Sequence, residues 1–331
     1  MFKSYFMSTK IILVLGMLSI FITACGNEES TEQEDGTFTF TGTTTLEESD
    51  LLAQAFFMFE EKIEENSDGR IELDYRGGPE TIPDDEIGDA IRSGAIDFTV
   101  TPAAYYAGSV PEGLALSYSE IDTETELERG GIDYLDEIHQ DNLNAKLLGR
   151  GAEVNFGIYT QDEIISLEDF EGMRIRGTPT YEPMTNRLNA EMVSMSGGEM
   201  YEALDRGVID GFGWTAVGMT DMGLEEQVNY KLAPESEFYR MDVVNLINLD
   251  KWNELPEDLQ QIMIETQREV EDEMHEVTDE FLQEEEEILE NTEIEEVDLG
   301  DEFLDVVNDA GWDFIENNVE DSVELEELFR E

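Results

Sequence analysis

Arg176 stands where a planar fork of donors could meet a carboxylate. It closes the run Met173-Arg174-Ile175-Arg176 and is followed at once by Gly177-Thr178-Pro179. A guanidinium takes a carboxylate through two parallel hydrogen bonds, a geometry an ammonium cannot copy. Only 18 Lys and Arg stand among 82 Asp and Glu, so an arginine beside glycines at a strand end is a candidate anion contact; the plain alternative is a surface ion pair. Arg76, in Arg76-Gly77-Gly78-Pro79-Glu80, has the same form, and Glu80 is carried with it as a candidate. Arg174 should share a strand face with Arg176, further from the strand end, and reads as a structural ion-pair partner. Tyr105, Tyr106, Tyr159, Phe212 and Trp214 fall in loops at strand ends, where rings could stack on a ligand while phenol or indole groups hydrogen-bond it. Core packing is the competing role for each. Trp214 and Tyr105 are the preferred pair, because they follow equivalent strands of an internal repeat, and they are expected to face each other across a cleft.

That repeat is what would position them. Glu86 to Asp97 and Glu199 to Asp210 both fit Glu, apolar, x, acidic, Ala, apolar, x, x, Gly, apolar, Ile, Asp, 113 positions apart. Each copy lies downstream of an Arg-Gly-x-Pro element, so the chain looks like two similar lobes. Helices alternating with short strands around both copies argue for α/β lobes. Two such lobes joined by a hinge create a cleft, the usual place for a small ligand.

The chain begins with 25 residues that carry Lys3 and Lys10, no acid, and an apolar run from Ile11 to Phe21, which reads as a secretion signal. The run is shorter than the roughly 20 residues a spanning helix needs. Ile22-Thr23-Ala24-Cys25 resembles a bacterial lipobox, so Cys25 is the expected lipidation site, and two acyl chains suffice to hold a soluble protein on a membrane. Cys25 is the only cysteine, so neither an internal disulfide nor a Cys-based metal site can form. Residues 26–36 are acidic and polar and read as a disordered tether.

Loss of the signal would move the formal charge from −64 to −66, a field that repels nucleic acid and anionic lipid. In about 1 M salt the Debye length falls to roughly 3 Å, and a salt-rich external environment is expected. No Asp-x-Asp-x-Asp-Gly calcium loop occurs, and neither does a Gly-x-Ser-x-Gly elbow, a phosphate loop or a His-Glu-x-x-His pair. His139 and His275 fall within expected helices, where surface or packing roles are the reading. No metal and no cofactor is expected.

Along the chain, strands are expected at 37–45, 70–75, 95–100, 145–148, 173–176, 208–210 and 242–249. Helices are expected at 46–65, 124–142 and 181–188, with a long one from Leu255-Pro256 of about 35 residues, roughly 50 Å at 1.5 Å per residue. Such a helix outspans one lobe, and Glu284 to Glu287 read as its solvated face. The lobes are placed at 37–155 plus about 242–283, and at 156–241 plus about 284–331.

Asp68-Gly69-Arg70-Ile71, the Gly94-to-Asp97 turn, Leu167 to Arg176, Glu199 to Leu204, Gly207 to Gly211 and Asn248 to Trp252 together resemble DctP-type solute-binding proteins of TRAP transporters, over about residues 38–290. The resemblance implies a periplasmic-binding-protein-like fold of two lobes with a hinge, an interlobe cleft and a long C-terminal helix spanning both. It implies a receptor, not an enzyme, that closes on a small organic acid and hands it to TRAP membrane subunits. It assigns the carboxylate to Arg176. Many members carry a second arginine shortly before this element, and residues 155–160 contain none. The readings from other classes are a secreted carbohydrate-active hydrolase using paired carboxylates and a non-binding surface scaffold.

Overall fold

The computed structural model describes residues 36–331 apart from 321; the signal, Cys25 and the tether up to residue 35 lie outside the described residues. The strands are β1 (Phe38–Thr44), β2 (Ile71–Tyr75), β3 (Phe98–Thr101), β4 (Ala145–Thr160), β5 (Arg174–Arg176), β6 (Glu191–Val193), β7 (Gly211–Thr215), β8 (Tyr230–Leu232), β9 (Phe238–Asn248) and β10 (Glu295–Val297). The helices are α1 (Gln54–Asn66), α2 (Ile87–Ser93), α3 (Ala115–Tyr118), α4 (Thr123–Arg129), α5 (Gly131–Leu143), α6 (Glu182–Arg187), α7 (Met200–Asp205), α8 (Leu249–Glu254), α9 (Glu257–Leu289), α10 (Gly300–Asn318) and α11 (Ser322–Phe329).

One curled sheet runs β2-β1-β3-β9-β4-β7-β5-β6, with β8 joining β4 and β10 joining β8. Read from its middle, the order is symmetric. Two parallel three-stranded blocks, β2-β1-β3 and β7-β5-β6, flank the antiparallel pair β9 and β4. The long central strands therefore belong to both halves. Three register shifts interrupt their pairing, at Leu147/Gly149, Arg150/Ala152 and Asn155/Phe156, and bulges of this kind bend and twist a ladder.

The repeated dodecapeptide occupies the same place in each block, and its last residue has the same job. Asp97 receives hydrogen bonds from the Thr41 amide and hydroxyl at 2.8 Å, while its own amide donates to the Thr41 carbonyl at 2.9 Å. Asp210 receives the Arg174 amide at 2.8 Å and donates back to the Arg174 carbonyl at 2.8 Å. Each carboxylate clamps the last strand of its block to the strand beside it. The Arg-Gly-x-Pro elements are not equivalent, however. Arg76 follows β2, the outer strand of its block, whereas Arg176 ends β5, the counterpart of β1. The sequence match ignored α6 and β6, which separate Arg176 from its helix and have no counterpart after Arg76.

Several expectations are corrected. The strand expected at 145–148 and the second-lobe opening at 156 are one 16-residue strand, β4; Gly149, Gly151 and Gly157 hid the continuity. The helix expected over 124–142 is two, because Gly130 adopts the left-handed conformation (φ 81°) that caps α4 and starts α5. Helix α9 has 33 residues and packs against α1 and β4 along one part and against the turn at Thr220–Met222 along another. Glu285 is not on its solvated face: it is buried and accepts from the Thr220 amide (3.1 Å) and hydroxyl (2.7 Å). An unanticipated helix, α11, docks on α3, α4 and α5, with the Phe329 carbonyl taking the Glu120 amide at 3.0 Å. Helix α11 also packs on α10.

The largest apolar cluster joins α3, α5 and β9 to Phe170, Tyr181 and Met184 through Phe303, Val307 and Trp312 of α10. A second lies between β1, α1 and α9, and a smaller third around Tyr159, Met200 and Phe212.

Candidate functional site

Arg176 projects from the carboxyl end of β5, the edge at which α/β sheets bind ligands. Its side chain is 6% exposed, and no carboxylate lies within ion-pair reach among the described residues. Nε donates to the Met195 carbonyl at 3.1 Å and Nη1 to the Gly213 carbonyl at 3.2 Å. Nη2 makes no hydrogen bond among the described residues. The guanidinium carbon sits 5.0 Å from the Trp214 ring centroid, a cation–π arrangement. Burial pulls the guanidinium below its ordinary pKa, opposed by the nearby Tyr181 and Tyr105 hydroxyls.

The contrast with the other buried arginine is instructive. Arg150 on β4 meets Glu126 at 2.6 Å and Glu153 at 3.2 Å, and Arg240 on β9 meets the same two acids at 3.4 and 2.9 Å. Buried charge is ordinarily kept only with a partner. Arg150 has its partners inside the chain. Arg176 has two backbone carbonyls, which carry no net charge.

The remaining candidates divide. Trp214 on β7 is half-buried beside Gly197 and Gly218, with Arg176 over its ring. Tyr105 follows β3 and is also half-buried; burial raises its phenol pKa, Asp84 and Asp50 raise it further, and Arg176 lowers it. The turn bearing Asp84 packs on the turn bearing Tyr105. Arg176 lies over the Trp214 ring and its charge acts on the Tyr105 phenol; no contact between the two rings is found among the described residues.

Tyr106, Tyr159 and Phe212 are core residues. The Tyr106 hydroxyl meets His139 Nε2 at 2.9 Å, and burial lowers the His139 pKa to about 4, so the imidazole is neutral. Tyr159 and Phe212 stack on each other at 5.0 Å, and the Tyr159 hydroxyl donates to the Thr215 carbonyl at 3.2 Å. Strand alternation puts Phe212 and Trp214 on one face, Phe212 fully buried within the third cluster and Trp214 partly buried against it. Arg76 is half-exposed and pairs with Asp74 at 2.5 Å. Glu80 is exposed, with one oxygen accepting from the Gly78 amide at 3.1 Å. Neither touches Arg176, and both belong to the turn after β2. Arg174 has the structural role expected of it, holding Asp210 at 2.5 Å.

The sequence reading missed Tyr181, which opens α6. Its ring lies on Gly177 and Gly213, so close that a Cβ on Gly213 would overlap it, and it packs at 4.8 Å from the Phe156 ring. Nothing in its spacing marks it out; only the meeting of α6 with β7 does.

Comparison with known proteins bears on the fold and the family. The chain is 28% identical over 221 residues to a monocarboxylate 2-oxoacid-binding periplasmic protein of Nostoc sp. (strain PCC 7120), the match covering 61% of this chain and 57% of that relative. It thus spans little more than half of that relative's length. Among solved structures, it superposes with a TM-score of 0.75 and 17% identity on a TRAP periplasmic solute-binding protein from Desulfovibrio salexigens with bound orotic acid, covering 88% of this chain and 97% of that one. A second, from Rhodoferax ferrireducens with bound malonate, gives 0.73 and 18%, covering 88% and 96%. These likenesses show the two-lobed fold. The family model for bacterial extracellular solute-binding proteins, family 7 (DctP), matches residues 42–315, and the chain belongs to that family of receptors.

Proposed function

We propose that this receptor captures a small organic acid between its lobes, with Arg176 as the charge partner of the carboxylate. The observation that carries the reading is a buried guanidinium with no carboxylate of its own. Trp214 and Tyr105 would hold the apolar part of the ligand. The relatives named above bind 2-oxoacids, orotate and malonate, which are all carboxylates. The loaded receptor would deliver its acid to TRAP membrane subunits, and Cys25 would tether it to the outer face of the membrane. The lobes we propose are 37–155 with about 242–283, and 156–241 with about 284–331. No observation favours the hydrolase or the scaffold.

A thermal-shift screen over pyruvate, malonate, orotate and galacturonate tests the reading, since a binder gains RT ln(1 + [L]/Kd) of stability. Calorimetry on Arg176→Ala should then show binding weakened by about tenfold or more, the loss expected for a charge-assisted hydrogen bond of about 1.5–3 kcal/mol. An unchanged dissociation constant would reject the role.

A further inference from the structure

We infer that the Tyr181 hydroxyl is a second anion anchor, converging with the Arg176 guanidinium on the Gly213 backbone and gripping the same carboxylate head group. The inference rests on the receptor reading above.

Three observations lead to it. The Tyr181 side chain is 1% exposed, and its hydroxyl has no hydrogen-bond partner. A buried hydroxyl left without a partner is costly, and native chains nearly always supply one. The far end of the ring, which carries that hydroxyl, rests on Gly213, the residue whose carbonyl takes Arg176 Nη1 at 3.2 Å. The two donors therefore meet at one point of β7. Glycine is required there: any side chain at 213 would displace the phenol.

The third observation is what the guanidinium has left to give. Met195 and Gly213 carbonyls occupy Nε and one Nη1 hydrogen, and Nη2 is uncommitted. A carboxylate offers about four acceptor sites over its two oxygens, more than one partly engaged guanidinium fills. Residues 155–160 hold no arginine, and among the described residues Arg174 and Arg76 are engaged by Asp210 and Asp74. The neighbouring phenol is the donor in place to complete the set. Phe156 at 4.8 Å and Phe238 at 5.9 Å hold its ring, so the hydroxyl is positioned before any ligand arrives.

Tyr181→Phe removes the hydroxyl and keeps the ring. With pyruvate, malonate and orotate as probes, calorimetry should show the dissociation constant of whichever acids bind rising about tenfold to a hundredfold, the range for a hydrogen bond to a charged group. The melting temperature of the ligand-free variant should be unchanged or higher, since an unpartnered buried hydroxyl has been deleted. A variant that melts normally and binds as tightly as the parent overturns the inference and leaves the receptor reading intact, the hydroxyl then serving a buried water. A parent protein that binds none of the three acids overturns both. If the phenylalanine variant melts lower, Gly213→Ala supplies the second measurement: by displacing the phenol while leaving the hydroxyl in the chain, it should weaken the same acids, and equal affinity there also overturns the inference.

Discussion

At the scale of single residues, what separates a site from a surface is whether a charge already has a partner. Arg76 and Arg176 share a local motif, yet Arg76 is satisfied by Asp74 in solvent, an arrangement worth roughly 0–1 kcal/mol. Arg76→Ala should therefore leave both melting temperature and acid affinity within error, and a tenfold loss of affinity would return it to the site. Arg176 was legible because strand ends and glycines could be read from the chain. Its lack of a counter-ion was not, since that depends on which of 82 acids the fold brings near. Tyr106 and Tyr159 already spend their hydroxyls on His139 and the Thr215 carbonyl, and Phe212 stacks on Tyr159; position in the chain shows none of this.

At the scale of elements, the two carboxylates that end the repeats do unequal work. Asp97 is 8% exposed and locks β1 to β3 with two short bonds to Thr41, so Asp97→Ala should cost about 2–4 kcal/mol, the sum of two hydrogen bonds to a charged group with some relaxation. Asp210 is more exposed and shares its load with the Arg174 side chain, so Asp210→Ala should cost less. Urea midpoints would rank the pair, and the reverse order would contradict the clamp. The long strands carry a second test. Asp242 on β9 has its pKa raised by burial to about 6, with Arg150 opposing. Glu271 on α9 is raised by burial to about 7, opposed by Gln267 and Arg150 and helped by Asp272. Groups whose folded pKa is raised bind protons more tightly folded than unfolded, so their contribution falls as pH rises from about 4.5 to about 7. Glu153 works in the other direction: burial raises it, but Arg150 and Arg240 together outweigh burial and bring it to about 2. Its contribution is lost only in strong acid. Stability should therefore increase as pH falls from 8 to 6. Glu271→Gln should raise the melting temperature at pH 8 by roughly 1–2 °C, the effect of about 1 kcal/mol in a chain of this size, and should flatten the slope. A variant that melts lower at pH 8 with an unchanged slope would refute this account.

At the scale of the whole molecule, charge decides the conditions under which the fold and its capture step operate. The chain carries −64, and self-repulsion of that size opposes compaction unless salt screens it. Between 0.1 M and 1 M salt the Debye length contracts from about 10 Å to 3 Å. Melting temperature should rise over that interval, and a flat or falling curve would show that the acids are already compensated. The same field opposes an incoming anion, so stopped-flow association of an acid should quicken with salt, the reverse of ordinary steering between opposite charges. Rates that fall with salt on folded protein would contradict it.

Composition and pattern alone determined the α/β class, the duplicated helix–turn–strand unit and the long α9, because these rest on periodicity, which is local. They also led to Arg176 and Trp214. Only the tertiary structure decided that Arg76 and Arg176 are not counterparts, that β4 runs unbroken through both halves, that Glu285 is buried, and that Tyr181 meets Arg176 at Gly213. Each of these depends on the partner a residue finds across a distance in sequence, and partners of that kind leave no trace in spacing.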